Sequence, residues 1–568
     1  MVWIEPEPIP PDLEPLDNDP LINELLYRRG IRTKTAALEF LRKHPRPAPD
    51  LSLLPNLDRA VERACTAIEK GETIAVYGDY DADGVTSTAL LVRALRAACG
   101  DRARVLYRLP TREEGYGLNL AAVDALAQAG ASLLIAVDCG STDHQHVAHA
   151  RELGLDVIVF DHHRMHDEGP EGAIVVSAQL ADSGIYRELA AVGVGYFFVS
   201  ALAREGCKLD GENGDHETSL LDLVALGTVA DVSPLLGANR ALVRDGLAKM
   251  RSKPRAGVAA LCRKASLSPS TLTTDQISFR IAPRLNAAGR MGDPRQALEL
   301  LLTDDPLEAE KIATEIETMN TERRSASARI VDEADNVIRS TAGWEEKRLL
   351  VVRGPNWTSG VLGAVASQLV TRFGRPVVVL ADDGAISRGS ARSVLEFDIS
   401  VALLDCADLL LTFGGHSQAA GLSLPSDRVP ELTARLNQAI ADSGLEFSSE
   451  PTLVIDAELT HAQLSKETAK KVESLQPFGQ GNHTPLFLIR NLVARQYDVL
   501  GQDRTHLRVQ LETSKGICRA VIWGAAARSR ELLNRPTIDI VAVVSIDTWN
   551  NQERLQVEIK DFRESAMS

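Results

Sequence analysis

Three aspartates at alternate positions, Asp79, Asp81 and Asp83, stand in the run Tyr77-Gly78-Asp79-Tyr80-Asp81-Ala82-Asp83-Gly84. Like charges this close repel one another. They stay ionised together only where something cationic lies between them, and a divalent metal ion meets that need. Taken alone, such a triplet reads equally well as a solvated acidic turn. Further groups of the same chemistry stand at Asp138, at Asp161-His162-His163 and at Asp231. Carboxylates dominate, with one or two imidazoles and no suitably placed thiolate. That mixture favours Mn²⁺ or Mg²⁺ over zinc, and the imidazole leans it toward manganese. The acidic groups are too many for one ion. Two ions bridged by a shared carboxylate would use them, as in two-metal hydrolysis of phosphate esters.

Each group falls at the end of an element. The apolar run Thr73-Ile74-Ala75-Val76 precedes the triplet, and a helical run from Thr86 to Ala98 follows it. Ser132 to Val137 ends at Asp138, and Asp156 to Phe160 ends at Asp161. The helical run Ser219 to Ala230 ends at Asp231, with Pro234 just beyond. Strands alternating with helices (Leu57 to Lys70, His144 to Leu153) predict βαβ crossovers and a parallel sheet. The carboxyl ends of its strands share one rim, where open α/β sheets place their ligands. Groups far apart in the chain can therefore converge.

At 568 residues the chain exceeds one core, and three or four domains are expected. Its 44 % hydrophobic and 25 % charged content is that of a globular protein rather than a disordered one. The longest apolar runs are strand-sized, too short to span a bilayer, and no basic secretory n-region is evident at the start. Seven cysteines, never in a CxxC pair, argue against a disulfide frame or structural zinc. A cytoplasmic location is the simplest expectation. The formal charge of −16 opposes indiscriminate nucleic-acid binding but not a local basic groove. From Pro451 onward 15 basic residues nearly balance 14 acidic ones, so the acidity belongs to the rest of the chain.

Residues 1–50 read as a Pro-rich extension, helical from Pro20 to Lys43 and packed on the domain that follows. Residues 51–300 form the parallel-sheet domain. Residues 301–342 form one long connecting helix, with Asp305 as N-cap, Pro306 at the first helical position and Glu308 three after the cap. Ile312, Ile316, Met319, Ala326, Ile330 and Val337 follow at helical spacing, with a gap at Arg323. Residues 343–448 form a second α/β domain, with strands at Arg348 to Val352 and Pro376 to Ala381 around a helix from Gly360 to Phe373. Residues 449–568 carry five short β runs, compatible with a small barrel of the OB type.

The set Gly78-Asp79-Tyr80-Asp81-Ala82-Asp83-Gly84, Val137-Asp138, Asp161-His162-His163 and Gly227-Thr228-Val229-Ala230-Asp231 resembles the DHH phosphoesterase superfamily. Within it the chain is most similar to the RecJ family of bacterial single-strand-specific 5′→3′ DNA exonucleases. Glu114-Gly115-Tyr116-Gly117-Leu118, Pro283-Arg284-Leu285-Asn286-Ala287-Ala288-Gly289-Arg290, Gly389-Ser390-Ala391-Arg392-Ser393, Gly414-Gly415-His416 and Pro477-Phe478-Gly479-Gln480-Gly481-Asn482 extend the likeness over roughly residues 55 to 563. It implies a DHH domain, a DHHA1-like second domain and an OB-fold tail.

The resemblance implies that Asp79, Asp81 and Asp138 hold one divalent cation, and that Asp83, Asp138, His162 and Asp231 hold the other. His163 would lie against the scissile phosphate as donor or acid, with Asp161 orienting a histidine. There are departures. Tyr77 replaces a metal-binding histidine of pyrophosphate-hydrolysing relatives, Cys139 stands where asparagine is frequent, and Thr358 follows Trp357 where a histidine is usual. The Pro110 to Gly115 segment, which carries Arg112, is one residue shorter than the usual form.

A terminal phosphate calls for a guanidinium with small hydroxyl and backbone donors. Arg392, Ser390 and Arg112 have that chemistry, and by resemblance they bind the 5′-phosphate. Gly415 would let backbone approach a phosphate, with His416 donating. Arg280, Asn286 and Arg290 are expected partly to face the cleft, although Arg284 or Arg290 could instead pair with acidic residues. Tyr116 is a candidate for stacking on bases, and Trp549, Phe478, Arg504, Arg508 and Arg519 for a strand groove in the tail. Trp523 is expected in the core.

The function implied is hydrolysis of single-stranded DNA from the 5′ end, serving DNA repair and recombination. A helicase and a single-strand-binding protein are the partners to look for. A monomer is expected, because one chain already holds both halves of the cleft. Two other readings remain: a phosphodiesterase for oligoribonucleotides or cyclic dinucleotides, which needs no barrel tail, and a non-catalytic repair scaffold, which would have lost acidic ligands retained here.

Overall fold

A computed structural model describes the chain except for residues 11, 42–49, 166–167, 182–185, 208–215, 446–451, 502, 534–536, 550–551 and 566–568, and the side chains at 216, 217, 533, 548 and 549. Trp549, a candidate substrate contact, therefore has its side chain outside the described residues. The chain divides into two compact units, one of residues 50–233 and 245–449, the other of residues 1–49, 234–244 and 450–568.

In the first unit five strands lie side by side in the order Val105–Arg108, Thr73–Tyr77, Ala131–Val137, Asp156–Asp161, Ala173–Ser177, all parallel. The chain runs from Thr73–Tyr77 to one side and then crosses to Ala131–Val137 on the other, so a switch point opens between the ends of these two strands. Both are mostly apolar, and Ile74 to Tyr77 and Leu133 to Val137 are buried, as expected of strands covered on both faces. The helix Ala82–Cys99 is buried along most of its length, because the helices Ala191–Arg204 and Leu221–Ala230 pack over it.

The connecting helix runs unbroken from Pro306 to Ser340. Asp305 caps it, accepting from Leu307 N–H at 2.9 Å, while Glu308 turns away to the Thr303 hydroxyl and closes no capping box. Ile330, Val331, Ala334 and Ile338 enter the core of the second domain, and Val337 faces solvent. That domain has a sheet ordered Thr412–His416, Ala419–Pro425, Ile386–Arg392, Val377–Asp382, Leu350–Pro355, with only the last pair parallel.

In the second unit the strands Phe487–Leu500, His506–Thr513, Gly516–Ile522, Gln552–Glu564 and Ile538–Trp549 close into a five-stranded barrel, the last pairing back to the first. The N-terminal segment belongs here and not on the parallel-sheet domain as expected. Leu16, Leu21, Ile22, Leu25 and Leu26 join the barrel core, and Val2–Ile4 pairs with Thr452–Val454. Its helix also breaks into Pro20–Arg28 and Lys34–Leu41 around Gly30, which takes a positive φ. Trp523, expected in the core, is 52 % exposed and makes a T-shaped contact with the His506 ring. Arg504, Arg508 and Arg519 face solvent, and Phe478 packs against the barrel core. Among the described residues no helix is long and apolar enough to cross a membrane.

Candidate metal centre

Asp81 caps the buried helix that follows the first strand. Its Oδ1 accepts the N–H groups of Asp83 at 2.9 Å and Gly84 at 3.1 Å, orphan donors of the first turn. Only glycine fits at 84, since a Cβ there would lie 2.5 Å from the Asp79 carbonyl oxygen. The loop thereby folds back on the helix start, and Asp79, Asp81 and Asp83 are presented together. Asp83 turns inward and accepts from the N–H groups of Ala191 and Val192 at the start of a second helix. Asp138 holds the left-handed conformation at φ 62°, a strain of about 1 kcal/mol that aspartate tolerates better than most residues.

Side chains from four stretches converge at the switch point. Asp79, Asp81 and Asp138 bring ligand atoms within 4.8 Å of one another; so do Asp83, His162 and Asp231, and so do Asp138, His162 and His163. His162 Nε2 lies 3.3 Å from Asp138 Oδ1 and its Nδ1 3.8 Å from Asp231. Asp138 thus connects the groups. Burial first, and then the neighbouring carboxylates, push Asp79, Asp83 and Asp138 well above the usual carboxylate range. Burial also raises Asp231, against the pull of His162. Buried Asp79 Oδ1 and Asp138 Oδ1 have no hydrogen-bond partner. Orphaned oxygens among repelling, buried carboxylates are what a divalent cation would satisfy, and the hard oxygen donors with one imidazole fit Mn²⁺ or Mg²⁺.

Asp161 lies just behind this cluster. Burial would raise its carboxyl, yet the His163 ring and the Ser141 N–H hold it well below the ordinary range. Burial draws the His163 imidazolium down, but the 2.8 Å bond to Asp161 outweighs it and the pKa stands at about 9. Tyr116 puts its hydroxyl 3.0 Å from the same ring nitrogen and 3.2 Å from the Asp138 carbonyl oxygen. Tyr77 is buried, bonded to the Gly117 carbonyl and to Asn119. Cys139 is also buried, and its thiol turns to the Val137 carbonyl.

The second domain faces this centre with His416, whose ring lies over that of His163. Gly415 sits in the same edge strand, where any Cβ would meet the Ala419 carbonyl at 2.2 Å. Arg392 donates to Ser390 Oγ at 2.7 Å, and Ser390 donates to the Ala420 carbonyl. Gly363 leaves room for this guanidinium, since its Cβ would lie 2.8 Å from Nη2. Arg112 lies over the Tyr80 ring. Arg290 donates to the Gly360 carbonyl; burial, then Arg112, Arg323 and Arg392, push its guanidinium down to about 10. Arg323 joins this cationic group from the connecting helix with a buried, unpartnered Nε, and the gap in apolar spacing is the only sign of it in the sequence. Arg284 is a structural partner of Glu317. Arg280 is exposed, with its guanidinium on the Ala265 carbonyl, and Asn286 accepts from Ala82 N–H.

Fold and site together define the class. Residues 73–228 match the DHH family, N-terminal domain, and residues 346–442 match the DHHA1 domain, so this is a DHH-type protein. Residues 455–561 match the RecJ OB domain. The chain is 36 % identical over 520 residues to the single-stranded-DNA-specific exonuclease RecJ of Salmonella typhimurium, covering 88 % of each. It is 35 % identical over 553 residues to that of Bacillus subtilis, covering 96 % of this chain and 68 % of the relative. The crystal structure of RecJ in complex with Mn²⁺ from Thermus thermophilus matches with a TM-score of 0.82 at 29 % identity, over 100 % of this chain and 80 % of that one. The chain belongs to the RecJ family.

Proposed function

We propose that this chain is an exonuclease that hydrolyses single-stranded DNA from its 5′ end. The convergence of two ligand groups on Asp138 carries the reading. Asp79, Asp81 and Asp138 would hold one divalent cation, and Asp83, Asp138, His162 and Asp231 the other. Such a pair, when bound, supplies an activated water and neutralises charge building on the phosphate oxygens. The chain itself contributes orientation and donors. Asp161 fixes the His163 ring, which presents its other nitrogen to the scissile phosphate as donor or acid. Tyr116 supports the same ring, and its half-exposed face is left for a base. Arg392, Ser390 and Arg112, with Arg290 and Arg323 beside them, form an excess of positive charge suited to the 5′-phosphate. Single-strand end resection in repair and recombination, by a cytoplasmic monomer working with a helicase and a single-strand-binding protein, belongs to the same reading.

The test is degradation of end-labelled single-stranded DNA with and without a 5′-phosphate, beside duplex, short RNA and a cyclic dinucleotide, in Mn²⁺. Stepwise loss of nucleotides from the 5′ end of single strands supports the proposal. Turnover of the cyclic dinucleotide or short RNA alone would replace it with the phosphodiesterase reading, and no turnover of any would leave a scaffold.

A further inference from the structure

The helix Ala82–Cys99 begins between two of the clustered carboxylates, and its first N–H groups have no partner within the helix. Asp81 takes those of Asp83 and Gly84. That of Ala82 is taken from outside, by Asn286 Oδ1 at 2.9 Å. A backbone N–H can only donate, so the amide oxygen of Asn286 must face it. The bond fixes the backbone at the residue lying directly between Asp81 and Asp83.

Asn286 is itself firmly placed. On the same helix, Ala282–Met291, Gly289 lies so close to the acidic loop that a Cβ would sit 2.5 Å from the Tyr80 carbonyl oxygen. Arg284 grips Glu317 of the connecting helix through two nitrogens, and Arg290 donates to Gly360 of the second domain. The helix is therefore tied near both ends and flush against the loop in between.

We infer that Asn286 is a positioning residue that aims the Asp81 and Asp83 carboxylates, and not a contact to substrate. The inference rests on the metal-binding reading of those carboxylates. Groups that orient metal ligands through one intermediate bond typically change metal affinity by about 10- to 100-fold when removed. A substrate contact would instead leave metal affinity alone and raise KM for DNA.

The experiment compares Asn286→Leu, which removes the acceptor at similar volume, with Asn286→Asp, which keeps an oxygen there; Asn286→Ala stands in if the leucine variant does not fold. Mn²⁺ binding is measured by calorimetry on the full chain without DNA, and KM for a single-stranded oligonucleotide at saturating Mn²⁺. The expected result is Mn²⁺ binding about tenfold weaker for leucine than for the parent, near-parent binding for aspartate, and unchanged KM. Parent-like Mn²⁺ binding in the leucine variant with a raised KM overturns the inference. Equal weakening in both variants overturns it too, because the acceptor would then be irrelevant. Calorimetry needs no nuclease activity, so a parent that binds Mn²⁺ yet cuts no DNA would sink the nuclease reading alone.

Discussion

The imidazoles of His163 and His416 lie nearly parallel, 18° between planes and 6.2 Å between centroids, although one follows a strand of the parallel-sheet domain and the other ends an edge strand of the second domain. A phosphate beside His163 would meet both rings. Burial, followed by His163 and Arg164, lowers the His416 pKa, which favours the neutral ring. His416→Ala should therefore lower kcat by about 100-fold through loss of a donor to the phosphate, with Mn²⁺ affinity unchanged because His416 is in none of the ligand groups. Single-turnover rates and calorimetry read the two effects apart.

Asp138 belongs to two of the three candidate ligand groups and is the proposed shared ligand. Asparagine at this position would keep a side chain tolerant of positive φ, so Asp138→Asn should fold while losing activity by at least about 1,000-fold. Removing one of several buried, repelling charges should also raise the melting temperature of chelator-treated protein. Retained turnover in Asp138→Asn would contradict the assignment of a shared ligand.

The same repulsion gives a pH dependence with a definite sign. Asp79, Asp83, Asp138 and Asp231 all titrate above the ordinary aspartate value. His163, at about 9 against 6.5, is raised as well. A group with a raised folded pKa contributes stability that is full below its unfolded pKa and lost as pH rises through the folded one. Asp161, shifted the other way, contributes above its unfolded pKa and changes only in acid. Chelated protein should therefore melt progressively lower from about pH 5 toward pH 9, and Mn²⁺ should flatten the curve by favouring the ionised forms. Thermal melts across pH with chelator or Mn²⁺ decide this; a melting point that climbs with pH in chelator is the contrary result.

How much of this was legible in the sequence follows from what kind of interaction was involved. Asp79, Asp81, Asp83, Asp138 and His162 terminate apolar runs, and strand ends of one parallel sheet share a rim whatever lies between them. The bond from Asn286 left no such mark, because a side-chain contact to a distant backbone N–H has no periodicity. The docking of the N-terminal segment is hidden for a similar reason. Leu21, Ile22, Leu25 and Leu26 show which face of the helix is apolar, but not which core receives it. Trp523 is different, since the signal was present. Ile522 points inward, and alternation along the strand sends its neighbour outward.

Arg284 holds the Asn286 helix to the connecting helix through a two-pronged contact with Glu317, and the arginine is nearly buried. Lysine cannot reproduce that fork. Arg284→Lys should lower unfolding free energy by about 2 kcal/mol, less than a fully buried pair because Glu317 is partly exposed. Urea denaturation measures it, and a change within about 0.5 kcal/mol would show that the pair is not what fixes the helix.

Arg392 and Ser390 lie on one strand, and the arginine hydrogen-bonds to the serine hydroxyl. Because burial and Arg112 both disfavour its charge, an anion arriving there relieves repulsion as well as forming charge-assisted bonds. Arg392→Ala should then erase most of the preference for a 5′-phosphate over a 5′-hydroxyl end, by about tenfold in kcat/KM. Cleavage of the 5′-hydroxyl substrate should change little, since Arg392 is in none of the metal-ligand groups. Competition between the two ends in one reaction gives the ratio directly. An equal loss on both substrates would move Arg392 from reading the end to general binding of the strand.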